Sequence, residues 1–213
     1  MLAQLRQQSL FVKMVWALLL LAAATAALEG RWSLSFVAVA TLALSLAPIM
    51  LARWFDITLP LAFVAATTVF VVASIFMGEA FDFYERVWWW DIALHGSSAL
   101  GFGLVGFLFV LMMFEGDRFA APHWAICFLA FAIAVAIGAI WEVFEFLMDQ
   151  WFGLNMQKSG LNDTMGDLIV DVIGAASASW IGYAYLRAQD RSFWTWPVDR
   201  FVALNKKLFR KLR

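Results

Sequence analysis

Six long runs of apolar residues, separated by charged and turn-forming residues, dominate the chain. A helix of about 20 apolar residues crosses a hydrocarbon core about 30 Å thick, and each run is close to that length. The runs extend approximately over Phe11–Leu28, Leu34–Leu51, Ile57–Met77, Ile92–Phe114, His123–Glu142 with a helical extension to Asp149, and Leu168–Leu186. The pattern predicts an all-α fold, an integral membrane bundle of six transmembrane helices.

A different pattern follows the sixth run. Aromatic and aliphatic residues alternate with eight basic residues between Arg187 and Arg213, and Pro197 stands at a favourable helix start. This pattern is typical of an amphipathic helix that lies on the inner leaflet, where anionic lipid attracts each basic residue by roughly 1 kcal/mol. We therefore expect two parts, a six-span domain over residues 1–190 and a basic amphipathic tail over residues 191–213, with membrane lipids rather than nucleic acid as partners.

The composition agrees with a membrane protein. Hydrophobic residues make up 64% of the chain and charged residues 15%, whereas soluble domains are roughly half apolar. These values exclude a water-soluble enzyme and a disordered chain. The single cysteine, Cys127, lies inside an apolar run, so neither an intramolecular disulfide nor a cysteine-based metal site is expected.

The formal net charge of −1 conceals a strong asymmetry between the two sides of the predicted bundle. With six spans both termini share one side, and 12 basic and 5 acidic residues there give a charge of +7. The opposite side has 3 basic and 11 acidic residues, a charge of −8. By the positive-inside rule, both termini are predicted to be cytoplasmic.

The acidic excess is concentrated at the outer ends of the last three spans. The residues are Asp91 and His95 at the start of the fourth span, Glu142, Glu145 and Asp149 at the end of the fifth, and Asp163, Asp167 and Asp171 around the start of the sixth. Spacings of three, four and seven place the members of one span on one helix face. We expect His95, Glu142 and Asp171 to lie at one depth, about one helical turn inside the outer boundary.

Too few cations accompany these acids to neutralise them. Besides Arg31 in the loop after the first span, the basic groups on this side are Arg86, Lys158 and a protonated His95. Several carboxylates must therefore be protonated, bridged by water or bound to a cation. Carboxylates with one imidazole suit Mg²⁺, Mn²⁺ or Ca²⁺, and Zn²⁺ and iron are not excluded. The alternative is structural, because acids near helix N-termini favourably meet the helix dipole.

The predicted metal ligands are His95, Glu142, Glu145, Asp167 and Asp171, and the predicted supporting residues are Asp91, Asp149, Asp163, Asn162 and Thr164. Asp91 is expected to orient the His95 ring. The stretch from Ser159 to Thr164 is expected to form a turn that caps the sixth helix.

Small residues in the last three spans favour close helix packing. Gly101, Gly103 and Gly106 spell G-x-G-x-x-G, but no strand precedes them, so a nucleotide site is not expected, and the chain has no haem signature. Ser97 with Gly101, and Ala99 with Gly103, form small-xxx-small pairs, and Gly138 and Gly174 are expected to act likewise in the fifth and sixth spans.

Several polar signatures in the second half of the chain occur together in a characteristic order. They are Trp90-Asp91-Ile92-Ala93-Leu94-His95-Gly96, Trp141-Glu142-Val143-Phe144-Glu145-Phe146 with Asp149, Asn155-Met156-Gln157-Lys158, Asp163-Thr164-Met165, and Asp167-Leu168-Ile169 through Gly174-Ala175. This half resembles the YjdF-like family of bacterial inner-membrane proteins. More distantly, Asp-x-x-x-His followed by a Trp-Glu helix resembles VanZ-like proteins. The resemblance implies a bacterial inner membrane and supports the position of the site, but supplies no reaction.

Three functions fit these observations. The first is a metal-dependent enzyme that acts on a lipid head group or lipid-linked phosphate through a site open to the periplasm. The second is a non-enzymatic protein that binds or conducts protons or cations through the same acids. The third is an accessory subunit of a larger membrane complex in which the acids are structural. The sequence leaves the oligomeric state open.

Overall fold

The computed structural model describes residue 5 and residues 7–117, 119–187 and 193–211, and this part of the chain is helical with no strand. Six helices are long and apolar enough to cross a membrane: α1 (Leu10–Leu28), α2 (Trp32–Trp54), α3 (Leu61–Ala80), α4 (Trp90–Met113), α5 (His123–Phe152) and α6 (Leu161–Arg187). The six predicted spans are therefore confirmed. A short helix, Phe83–Arg86, precedes α4, and α7 (Trp196–Leu204) and a 3₁₀ turn (Lys206–Leu208) follow α6.

The helix bounds differ from the predicted ones mainly on the acidic side. Helix α5 continues to Phe152 and ends where Gly153 takes a left-handed conformation, with φ of +66°. Helix α6 begins seven residues earlier than predicted, at Leu161, because the preceding turn ends at Gly160, also with φ of +66°. Glycine adopts this conformation without the steric cost of a Cβ atom. Asp163 and Thr164 consequently lie inside the first turn of α6 and do not form a turn before it.

Helix α3 contains a π-helical stretch, Val72–Met77, which the apolar pattern does not predict. A π-helical turn disturbs the regular ladder of backbone hydrogen bonds. The indole nitrogen of Trp90 donates to the carbonyl of Ala73 over 3.2 Å, so this carbonyl gains a side-chain partner. The hydroxyls of Ser74 and Tyr84 also share a hydrogen bond of 3.2 Å.

The chain forms two compact units, Met1–Trp90 and Asp91–Arg213. In the first unit, Val12, Ile49 and Val64 from α1, α2 and α3 form a buried cluster. The hydroxyl of Ser35 in α2 donates to the carbonyl of Ala23 in α1 over 3.0 Å. Three apolar helices thus pack together before the acidic helices begin.

In the second unit, small residues allow α4, α5 and α6 to approach closely. A Cβ atom added to Gly174 of α6 would lie 2.7 Å from the carbonyl oxygen of Gly96 in α4, and one added to Gly103 would overlap Ala178. Gly106 faces the Ala130 carbonyl of α5. The packing predicted for Gly103 and Gly174 is confirmed. Gly101 differs, because a Cβ atom there would meet nothing within 4 Å.

Large apolar side chains cover the outside of the six long helices, and at most a third of the most apolar stretch of any span is buried. Such a surface is unusual for a soluble protein but expected where helices face lipid. The basic residues Arg6, Arg118, Arg191 and Arg213, the acidic residue Asp190 and the predicted domain boundary at residues 190 and 191 lie outside the described residues. The membrane orientation and the two-part division stay predictions.

Candidate metal centre

Helix α4 supplies the histidine at the centre of the cluster. Asp91 and His95 are one turn apart on the same helix face, and the Asp91 Oδ1 atom lies 3.9 Å from the His95 Nε2 atom. The imidazole is buried, whereas Asp91 is partly exposed. A buried imidazole with a carboxylate one turn before it is the local unit that the i,i+4 spacing predicts.

Helix α5 adds Glu142, whose side chain is 4% exposed. Its Oε1 atom lies 3.8 Å from the same His95 Nε2 atom. Thr164 lies close enough to interact with Glu142, but neither carboxylate oxygen makes a hydrogen bond of ordinary geometry within the described chain. Glu142 therefore points into the cluster with both oxygens incompletely satisfied.

Helix α6 closes the cluster from the other side of the imidazole. Asp171 is 1% exposed, and its two oxygens lie 3.4 and 3.5 Å from the His95 Nδ1 atom. Asp167, one turn earlier and also buried, contributes an oxygen to a group with Asp91 and His95 in which all the candidate ligand atoms lie within 4.8 Å of one another. Three helices thus deliver four carboxylates and one imidazole to one place.

A glycine on α5 makes room for the Asp171 side chain. A Cβ atom added to Gly138 would overlap the Asp171 Oδ2 atom and lie 2.8 Å from its Cγ atom. Gly138 is one turn before Glu142, so the carboxylate of α6 lies directly against the α5 backbone. Small residues between these helices therefore shape the site as well as the packing.

Glu145, a predicted ligand, has a different local partner. Its Oε1 atom accepts a hydrogen bond of 2.9 Å from the indole nitrogen of Trp141, one turn earlier on the exposed side of α5. It lies within electrostatic range of Glu142 and His95, but no close contact to them is found among the described residues.

Asp149 and Thr164 shape the connection between α5 and α6. The two Asp149 oxygens accept hydrogen bonds from the backbone nitrogens of Met156 and Gln157, over 2.7 and 2.9 Å. The side chain of Gln157 in turn donates to the Thr164 hydroxyl over 2.6 Å. These contacts hold the loop against the start of α6 and so fix the position of its aspartates. The sequence motif includes Gln157 but does not predict its bond to Thr164, because no spacing rule links an amide in a loop to a hydroxyl on a helix.

The two remaining supporting residues, Asn162 and Asp163, lie at the edge of the cluster. Asn162 is exposed in the first turn of α6, and Asp163 beside it is partly buried and within electrostatic range of Asp91. Lys158 of the loop also acts electrostatically on Asp91.

The three central residues of the cluster lie between one and three helical turns from the ends of their helices. At 1.5 Å per residue, His95 lies about 8 Å from the start of α4 at Trp90, and Asp171 about 15 Å from the start of α6. Glu142 is also about 15 Å from the end of its helix, by the same rise per residue. The expected depth of one helical turn refers to the outer membrane boundary and stays a prediction.

Comparison with known proteins agrees with a membrane protein. Residues 8–188 match a family described as "Predicted membrane protein (DUF2238)". A protein of Thermotoga maritima titled "Uncharacterized protein" is 30% identical over 118 residues, and the alignment covers 55% of this chain but only 59% of that relative. No solved structure matches the chain. Because the family match extends over all six membrane-spanning helices, the chain belongs to the DUF2238 family of predicted membrane proteins.

Proposed function

We propose that the protein binds a divalent cation in the cluster of Asp91, His95, Glu142, Asp167 and Asp171, and that the bound cation acts on the phosphate of a lipid head group or lipid-linked phosphate. In this proposal the protein lies in a bacterial inner membrane with cytoplasmic termini, and the cluster faces the periplasm. The charge asymmetry of the sequence supports this orientation. A relationship to the YjdF-like and VanZ-like groups stays a prediction from residue patterns.

The observation that carries the proposal is the burial of Glu142 with no hydrogen bond of ordinary geometry to either oxygen among the described residues. A buried ionised carboxylate is costly unless a charge or several hydrogen bonds compensate it. His95 is the basic group in contact with both Glu142 and Asp171, and one imidazole cannot balance the buried Glu142, Asp167 and Asp171. A divalent cation supplies the missing charge and takes up free carboxylate oxygens.

The distances suit shared coordination. Two ligands of one ion, each about 2.1 Å away, are roughly 3.4 Å apart at a tetrahedral angle and about 4.2 Å apart when opposite. The His95 Nε2 atom lies 3.8 and 3.9 Å from oxygens of Glu142 and Asp91, too far for hydrogen bonds but within this range. Asp171 faces the other ring nitrogen, which favours a role in orienting the imidazole. The expected roles of Asp91 and Asp171 are thus exchanged in the proposed site.

Metal analysis tests the binding step. The purified parent protein is expected to hold a stoichiometric divalent ion, and Glu142→Gln and Asp167→Asn are expected to lose it. Glu145→Gln is the matched control. It removes a carboxylate charge one turn from Glu142 on the same helix, but the Glu145 carboxylate bonds to Trp141 and is not part of the proposed site. A parent that binds none of Mg²⁺, Mn²⁺, Ca²⁺, Zn²⁺ or Fe²⁺ in equilibrium dialysis refutes the proposal, as does equal loss of ion in the control.

A second assay tests the proposed substrate. A bound divalent ion would supply Lewis acidity towards a phosphoryl oxygen. With water forming the new P–O bond, the metal-loaded protein is expected to hydrolyse short-chain phosphatidic acid to diacylglycerol and inorganic phosphate. Release is expected to fall at least 100-fold in Glu142→Gln and to stay near the parent value in Glu145→Gln. Stoichiometric metal without phosphate release, from this lipid or from an isoprenyl phosphate, would reject the substrate while retaining the metal site.

One geometric feature favours a second function, the binding or transfer of protons. The two nitrogens of His95 face carboxylates on opposite sides, Glu142 at Nε2 and Asp171 at Nδ1. An imidazole that accepts a proton at one nitrogen and gives one up at the other can connect two acids. Proteoliposomes that carry the parent would then dissipate a pH gradient faster than those with Glu142→Gln. Equal rates would exclude the transfer of protons across the membrane through these residues.

A further inference from the structure

The amphipathic pattern of the basic tail predicts that its apolar face lies in lipid, but in the structure this face is buried within the protein. The apolar residues Val198, Phe201 and Phe209 are buried, and the rings of Phe201 and Phe209 pack edge to face. The buried Asn205 closes α7 by donating to the carbonyl of Phe201 over 2.8 Å. The apolar face of the tail is therefore used for packing within the second unit, and insertion of this face into lipid would require the tail to unpack.

Contacts to the loop after α4 hold the end of the tail in place. The Glu115 carboxylate pairs with Arg210 over 2.9 Å and with Lys211 over 3.7 Å. The Glu115 carbonyl also accepts a hydrogen bond from the Lys211 backbone nitrogen over 2.9 Å. Glu115 follows the end of α4 at Met113, so the tail and this end of α4 lie on the same side of the unit.

Three aromatic residues before and at the start of α7 remain outside this packing. Phe193, Trp194 and Trp196 are 84%, 59% and 51% exposed. The basic residues Arg200 and Lys206 are also exposed, and Arg200 lies one turn after Trp196 on α7. Tryptophan is enriched at membrane interfaces because its ring is apolar while its nitrogen hydrogen-bonds to water or head groups.

The length of the connection keeps this surface near the end of a membrane span. Five residues separate Arg187, the last residue of α6, from Phe193, so the two Cα atoms are at most about 22 Å apart. We infer that Phe193, Trp194, Trp196, Arg200 and Lys206 form an interfacial surface that binds the head groups of anionic lipid in the adjacent leaflet. The aromatic rings enter the interface and the two cations contact the lipid phosphates, while the buried face of α7 stays packed.

Fluorescence quenching in the full-length protein tests this surface. The protein is reconstituted into nanodiscs that contain brominated phosphatidylglycerol or brominated phosphatidylcholine, and the signal of Trp194 and Trp196 is obtained by difference from a Trp194→Phe/Trp196→Phe variant. Phosphatidylglycerol is expected to quench this signal more strongly. Arg200→Gln/Lys206→Gln is expected to reduce the preference for phosphatidylglycerol by up to about fivefold for each cation removed. Arg86→Gln, an exposed basic residue outside the tail, serves as the control and is expected to retain the preference.

Two results would overturn the inference. The first is equal quenching by the two lipids in the parent, which would show no selection of anionic head groups, or quenching by neither lipid, which would leave a protein or nucleic-acid partner as the occupant of this surface. The second is an equal effect of Arg86→Gln, which would indicate a general charge effect. The melting temperature of each variant shows that it is folded, and the substituted side chains are exposed.

Discussion

Replacing Gly138 by alanine provides a precise test of how the cluster is built. The new methyl group would occupy the space now filled by the Asp171 carboxylate, with its carbon 2.8 Å from Asp171 Cγ and 3.3 Å from Asp171 Cβ. A carbon–carbon contact is most favourable at about 3.5–4.0 Å. The Asp171 carboxylate must therefore move, although Gly138→Ala removes no polar group and changes no charge.

The magnitude follows from two opposing effects. Overpacking a tight site costs about 1–3 kcal/mol, whereas alanine in place of glycine inside a helix stabilises by roughly 0.5–1 kcal/mol. The net loss of unfolding free energy is expected to be about 0.5–2 kcal/mol. If Asp171 orients the imidazole, its displacement is also expected to weaken metal binding about 10- to 100-fold, the usual effect of losing a partner that orients a ligand.

Gly101→Ala is the matched control, since a Cβ atom there meets nothing within 4 Å. It is expected to be neutral or slightly stabilising. The assay combines unfolding in detergent with metal titration, and it includes Gly138→Ala in an Asp171→Ala background, where the penalty should largely disappear because the overlapping atoms are absent. The reasoning is refuted if Gly138→Ala is as stable as Gly101→Ala, or if its penalty is unchanged when Asp171 is removed.

Two further predictions concern the loops of the second unit. Asp149→Asn is expected to lower the free energy of unfolding by about 1.5–3 kcal/mol, because a neutral amide with one oxygen replaces a carboxylate that accepts from two backbone nitrogens. Chemical denaturation measures the loss. Stability equal to that of the parent would show that these bonds do not hold the loop. Glu115→Gln is expected to cost at most about 1 kcal/mol, since its ion pairs are exposed, yet to speed proteolysis of the tail at low salt. At 1 M salt, where charges are screened beyond about 3 Å, parent and variant should be cut alike, and an effect that persists there would contradict an electrostatic role.

The apolar pattern was sufficient to predict the six spans, because in a membrane length and hydrophobicity directly determine where helices cross. It was less informative at their ends. Helix α5 continues through polar residues as far as Phe152, and α6 already begins at Leu161. Backbone hydrogen bonding and the glycine turns, rather than hydropathy, determine where these helices end and begin. The π-helical stretch in α3 has no apolar signature at all.

Helical spacing also predicted which acids share a face, but not which of them meet. His95, Glu142 and Asp171 do come together, as their expected common depth indicates. Glu145 has the appropriate spacing, yet its carboxylate bonds to Trp141. Helical periodicity places a residue on a face about a third of the helix circumference wide. Whether two such residues meet depends on the direction of each side chain and on which helix lies opposite. Which helix lies opposite is a property of the tertiary structure, and helical spacing within one sequence does not determine it.

The depth of Asp171 has a consequence for the biogenesis of the protein. Helix α6 is the least apolar of the six and carries three aspartates in its first eleven residues. An aspartate at the centre of a lone helix costs roughly 2.5–3.5 kcal/mol on insertion scales, so α6 by itself is a poor substrate for the insertion machinery. Only eight residues join it to α5, whose Gly138 receives the Asp171 carboxylate. The last two helices are therefore expected to enter the bilayer as one hairpin, with the acidic side chain sheltered from lipid during insertion.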